Sequence, residues 1–217
     1  MIFGRLEKFN FETFSRAIFP VLKGEGREET CRALARRYGS VENVFCADFG
    51  ELSELVGESA ATYIKVLSAV TSRRYTAEFE FGKPHTKAEI AEYFKALFFT
   101  ESVECVYAML LDSDGIPIST KLISRGTVSS SDVIPRKILE AAIGEGSRRV
   151  ILAHNHPHGL PKASEEDIRL TSGVSDILSL MGIKLEYHMI VAGDECDIVV
   201  GVLARLVEEG RIGSHMI

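Results

Sequence analysis

Along the first hundred residues the apolar positions recur every three or four places, the spacing of one face of an α-helix. Phe14, Ile18, Val21 and Leu22 predict a helix over 11–22, and a second over 28–38 stops at Gly39. Ser40 can cap a short helix reaching Phe45, and Asp48 another reaching Val56. A longer helix over 59–77 follows Gly57, with Ala60, Ile64, Leu67 and Val70 on its apolar face. Gly82 and Pro84 then break the pattern, and 87–99 is helical again.

After Thr100 the pattern changes. The run 103–111 is almost continuously apolar and predicts a strand. Asp112-Ser-Asp-Gly115 is a turn, and 116–123 returns as the second arm of a hairpin. Pro135 opens a helix to about Ile143, 149–153 is a short buried strand, and a Pro/Gly loop covers 157–161. A helix over 164–180, strands over 183–191 and 197–200, and a helix over 204–209 complete the reading. This order predicts an α/β (α+β) protein. Residues 1–80 form an all-helical domain, 81–100 a linker and connecting helix, and 101–217 a mixed sheet flanked by helices.

Composition narrows the class. Of 217 residues, 46% are hydrophobic and 26% charged, ordinary for a chain with a packed core. The net charge of -6 argues against a free-standing nucleic-acid binder, which carries a basic surplus. No apolar run approaches a membrane span, and the opening residues lack a secretory apolar region, so a cytoplasmic protein with no membrane partner is expected. Cys31, Cys46, Cys105 and Cys196 are scattered without a CxxC pair, which fits free core thiols better than a disulfide framework.

The chemistry is concentrated in Ala153-His-Asn-His-Pro-His158 and Ser164-Glu-Glu-Asp167. His154 and His156 stand two apart at the end of a strand, on one side and roughly 7 Å apart at the backbone. Pro157 and Gly159 turn the chain, and the next helix can return Asp167 as a third ligand. Two imidazoles and a carboxylate suit zinc, one ion per chain, and three protein ligands leave one position for water. A hydrolytic zinc also needs a proton carrier. Glu104 is the choice, since a carboxylate opening an apolar strand is a poor structural residue; Glu101 and Asp112 are the alternatives, both read as loop residues. Ser164 and the acidic residues after it equally suit a helix N-terminus.

The pattern resembles the JAMM (MPN+) metalloprotease signature: an upstream Glu, His-x-His, seven residues and Ser-x-x-Asp. More closely it resembles the RadC family, through Glu104-Cys-Val-Tyr-Ala-Met-Leu-Leu-Asp112, Arg125-Gly-Thr-Val-Ser-Ser-Ser-Asp-Val-Ile-Pro-Arg136, Val150-Ile-Leu-Ala-His-Asn-His-Pro157 with Ser164-Glu-Glu-Asp-Ile168, and Tyr187-His-Met-Ile-Val191. The resemblance implies a JAMM/MPN-like, cytidine-deaminase-like sheet, zinc on His154, His156 and Asp167, Glu104 as general acid/base, and Ser164 as a donor to the oxyanion. It implies a peptide or isopeptide substrate. The rival implication is a DNA-associated repair or recombination factor, with DNA held by a helix-hairpin-helix in the first domain.

Two features depart from the family pattern. His158 stands where a small residue is usual, and is read as a loop histidine or a substrate-facing group. In the hairpin region, Leu55-Val-Gly-Glu-Ser-Ala-Ala61, only Gly57 remains of the usual glycine pair, and Glu58 brings negative charge where a phosphate would sit. DNA binding is therefore expected to be weakened. His188 is expected to pack beside the ligands, Ser130 to cap a helix or line a substrate groove, and a homodimer is left open.

Overall fold

The computed structural model describes Phe14, Leu22 and residues 27–126, 133–157 and 159–199. Apart from Phe14 and Leu22, the helix expected over 11–22 lies outside the described residues, as do Ser130, His158 and the helix expected over 204–209. The chain divides into two compact units: residues up to Phe79 with Lys95–Ser102, and Glu80–Phe94 with the residues from Val103 onward.

The first unit holds α1 (Arg27–Tyr38), α2 (Val41–Cys46), α3 (Phe49–Val56) and α4 (Glu58–Ala77). Ser40 and Asp48 cap α2 and α3, each side chain accepting backbone N–H groups of the first turn. Gly57, at φ +81°, joins α3 to α4 as a single residue, a left-handed φ that a residue with Cβ resists. Leu34, Val44, Phe45, Leu52, Ala60, Ile64 and Phe99 form the core, with the Phe45 and Phe99 rings edge to face at 5.4 Å. The expected face of α4 holds for Ala60, Ile64 and Leu67, but farther along Val70 is exposed, while Ser68 and Ser72 are buried. Ser72 is tolerated there because its hydroxyl donates to the Ala96 carbonyl at 2.7 Å.

α5 (Lys87–Phe98) has its first residues in the second unit and its last in the first. The second unit adds β1 (Cys105–Leu111), β2 (Pro117–Arg125), α6 (Val133–Gly144), β3 (Arg149–Asn155), α7 (Glu165–Ser179), β4 (Lys184–Ala192) and β5 (Glu195–Ile198). The five strands form one mixed sheet in the order β2-β1-β3-β4-β5. β1 is antiparallel to β2 and β3, β3 and β4 are parallel across α7, and β5 returns antiparallel on β4. The α/β class with a preceding helical region is thus as expected.

The near-continuous apolar sequences of β1 and β3 belong to strands covered on both faces. Val106, Ala108, Leu110, Val150 and Leu152 face Ile138 and Ala142 of α6 and Val174 and Leu178 of α7. Truncating a fully buried member such as Leu152 to Ala should cost about 2–5 kcal/mol. Across the sheet, the Lys87 ammonium lies 5.1 Å from the centre of the Tyr187 ring. Strand alternation puts His154 on the α6/α7 face, two residues beyond Leu152 at the carboxyl end of β3. The carboxyl ends of parallel strands are where α/β sheets open crevices for ligands.

Candidate metal centre

Two neighbouring elements build the cluster. β3 delivers His154, 1% exposed and held by pairing with both β1 and β4. His156 falls one residue beyond the strand's end, not within it, although its N–H still donates to the Val191 carbonyl at 2.8 Å. After the loop, α7 delivers Asp167 from its first turn, where the helix dipole favours a carboxylate. Ser164 caps this helix in a reciprocal box, its Oγ accepting from Asp167 N at 3.1 Å while Asp167 Oδ2 accepts from Ser164 N at 2.7 Å.

One nitrogen of each ring and the carboxylate converge. His154 Nε2 lies 2.9 Å from His156 Nε2 and 3.0 Å from Asp167 Oδ1, and His156 Nε2 lies 3.6 Å from Asp167 Oδ2. Donors bound tetrahedrally to one zinc at its usual bond lengths would stand about 3.3 Å apart. The protonation pattern also fits a cation. His156 Nδ1 is 2.9 Å from the Leu160 carbonyl. A carbonyl can only accept, so Nδ1 carries a proton, and Nε2 is the nitrogen this ring can offer to a cation. Asp167 is held well below the usual carboxylate range. Burial, the largest single influence, pushes it up, but the close approach of the His154 ring and the two hydrogen bonds from Ser164 outweigh that. Two imidazole nitrogens gathered around a carboxylate held ionised make a set of donors that suits a positive charge, and oxygen with imidazole suits zinc.

The loop holds His156 in place. Gly159 N donates to the His156 carbonyl at 3.3 Å, and a Cβ at Gly159 would come within 3.3 Å of the His156 Cβ. Ser164 Oγ also donates to Asp167 Oδ2 at 2.6 Å, so its one hydroxyl proton is directed at that carboxylate.

Glu104 lies immediately before β1 and is exposed. It precedes Val106, the residue paired with His154, by two, and so lies at the same end of the sheet. Its carboxylate is not among the donor atoms that gather within 4.8 Å of one another; those are His154, His156 and Asp167. The backbone at Glu104 is nonetheless firmly held. Its carbonyl accepts from Gly126 N at 2.8 Å. The Asn155 carboxamide accepts from Cys105 N at 2.7 Å and donates to the Val103 carbonyl at 3.1 Å. β1 therefore begins at Cys105 and not at 103, because a side chain has replaced the ladder at that point.

His188, on β4, is completely buried, and its Nε2 is 2.7 Å from His154 Nδ1. Thr171 Oγ1 is 2.7 Å from His188 Nδ1. Asn155 and Thr171 were not among the residues expected at the site. Thr171 carried one usable signal, a hydroxyl four residues after Asp167 on the same helix face. Asn155 carried none, since its neighbours across β1 follow only from the strand register.

A mixed sheet with two imidazoles and a carboxylate at the carboxyl end of a central strand defines an α/β domain of the JAB type bearing a candidate metal centre. The comparisons agree. Residues 85–199 match the RadC-like JAB domain. A UPF0758 protein of Neisseria gonorrhoeae is 30% identical over 78% of this chain and 76% of its own length. One from Bordetella petrii is 33% identical over 74% of this chain and 73% of its own, and one from Herminiimonas arsenicoxydans 28% over 79% and 78%. The chain belongs to the RadC family. No helix among the described residues is long and apolar enough to cross a membrane.

Proposed function

We propose that this protein is a zinc-dependent hydrolase that directs water at a peptide or isopeptide carbonyl. The observation that carries the reading is the convergence of His154 Nε2, His156 Nε2 and an ionised Asp167 within 3.6 Å. These three residues would hold the ion, and neutral imidazole with carboxylate is the donor chemistry zinc prefers. Zinc bound there would supply a Lewis acid and bring the pKa of a coordinated water down to about 7.

The chain's own groups do the rest. Glu104, solvent-exposed and at the same end of the sheet as His154, takes the proton of the attacking water and returns it to the leaving amine. Ser164 serves the oxyanion by turning its hydroxyl away from Asp167 Oδ2. The carboxylate stays in place through that turn, since Ser164 N continues to donate to the same oxygen at 2.7 Å.

The test is metal analysis of protein purified without chelator, followed by a peptide and isopeptide substrate screen. About one zinc per chain, lost in His154→Ala, and hydrolysis lost in Glu104→Gln are expected. Protein free of zinc and indifferent to His154→Ala would end the proposal.

A further inference from the structure

His154 can bind a metal through Nε2 only while its proton sits on Nδ1, and a line of buried groups behind it decides where that proton goes. Thr171 Oγ1 lies 2.6 Å from the Asp167 carbonyl, one turn back in α7. The carbonyl has no proton to give, so the single hydroxyl proton of Thr171 is committed to it. Toward His188 Nδ1, at 2.7 Å, the same oxygen can then only accept, so His188 carries its proton on Nδ1. His188 is 0% exposed on the sheet face shared with Val174 and Leu152, where an imidazolium would forfeit its hydration. The ring is neutral, its Nε2 is bare, and that nitrogen accepts from His154 Nδ1 at 2.7 Å. The direction of each bond follows from the one before, beginning at a backbone carbonyl whose role is not in doubt.

The same direction is reached from the opposite end. A histidine that offers Nε2 to a metal keeps its proton on Nδ1 and needs an acceptor there. Two independent starting points therefore give one pattern of protons.

We propose that Thr171 and His188 are positioning residues that lock His154 in the Nδ1–H form and thereby select Nε2 as the metal donor. The consequence for metal rests on the zinc reading of the cluster; the pattern of protons does not. Loss of the Thr171 hydroxyl would free His188 to move its proton to Nε2 and donate to His154 Nδ1. That arrangement leaves the His154 proton on Nε2, facing Asp167, where it blocks ligation.

Two measurements test this. In metal-free protein at pH 8, long-range proton–nitrogen spectra of the histidine rings should show Nδ1 protonated in both His154 and His188, and Nε2 bare in His188. Zinc affinity, read by competition with a chromophoric chelator, should fall about 10- to 100-fold in Thr171→Val, the usual cost of removing a partner of a ligand. Thr171→Ser, which restores the hydroxyl, should recover most of the loss. A merely structural threonine would lower the melting temperature without moving the ring protons. A protonated Nε2 on His188, or Thr171→Val binding zinc as the parent does, would overturn the proposal. Should the parent bind no zinc at all, the metal reading fails, and the nitrogen shifts still decide the proton pattern.

Discussion

Asn155 grips the chain on both sides of Glu104: its carboxamide accepts from Cys105 N at 2.7 Å and donates to the Val103 carbonyl at 3.1 Å. The residue between two candidate metal ligands thus fixes the backbone of the candidate proton carrier. Asn155→Leu leaves the buried Cys105 N–H without that partner, at a cost of about 1–3 kcal/mol. Urea denaturation should register the loss, while zinc affinity should stay near the parent value, because no donor atom has been removed. Equal loss of zinc binding would show that Asn155 holds the ligands and not Glu104.

Glu104→Gln separates chemistry from metal binding. The side chain is exposed and outside the donor cluster, so zinc content and melting temperature should match the parent. Hydrolysis of any substrate found by the screen should drop about 10²- to 10⁴-fold, the range for loss of a general acid or base. Metal analysis and turnover on the same preparation check both halves.

Ser164 and Asp167 are coupled through the capping box, and Ser164→Ala removes the side-chain half of it. Loss of an N-cap costs about 1 kcal/mol. The melting temperature should therefore fall modestly even in chelator-treated protein, and zinc should still bind, since Ser164 N keeps its hold on Oδ2. Asp167→Asn should retain some of the cap and lose most of the zinc affinity, because a neutral amide supplies no charge to the ion. Thermal melts with and without EDTA distinguish the two variants.

The two shifted groups give stability opposite ends of an acid titration. Burial holds His188 well below the usual histidine range. As pH falls through about 6.5 the unfolded chain takes up a proton that folded His188 refuses, so stability declines toward acid by at most about 1.4 kcal/mol per pH unit. Asp167, depressed against the pull of burial, contributes fully above its unfolded value near pH 4 and loses that contribution as pH drops further. Urea midpoints of EDTA-treated protein between pH 8 and pH 5 should slope downward toward acid, and His188→Gln should flatten the slope. A flat parent profile would contradict the buried neutral ring.

Much of this arrangement is legible in the residues themselves, and the boundary between what is and is not is physical. Period and punctuation locate elements because they act locally: Ser40, Asp48 and Gly57 mark helix ends where the structure has them. The cluster of His154, His156 and Asp167 is legible because its members fall on one strand, one loop and one helix start within a short stretch of chain. β5, expected over 197–200, runs Glu195–Ile198, because the β4–β5 hairpin is tight and pairs Ala192 with Glu195. Val70 was expected inside and is exposed, since the spacing of a helical face tolerates a rotation of one residue that only packing decides. His188 was expected beside the cluster and lies there, but the bonds of the Thr171–His188–His154 line are out of reach of any such reading. The line joins a helix to two parallel strands, and the pairing of Leu152 with His188 has no local trace.

Both imidazoles of the centre are pinned at the nitrogen that faces away from it, His156 by the Leu160 carbonyl and His154 by His188. Neither ring can flip without breaking that bond, so the rotamer freedom that a flexible ligand surrenders on capture has already been given up during folding. A cation arriving there would meet a preorganised socket, and its departure would leave the rings aimed as they were. Occupancy should then follow the free zinc concentration around the protein, without waiting for the chain to rearrange.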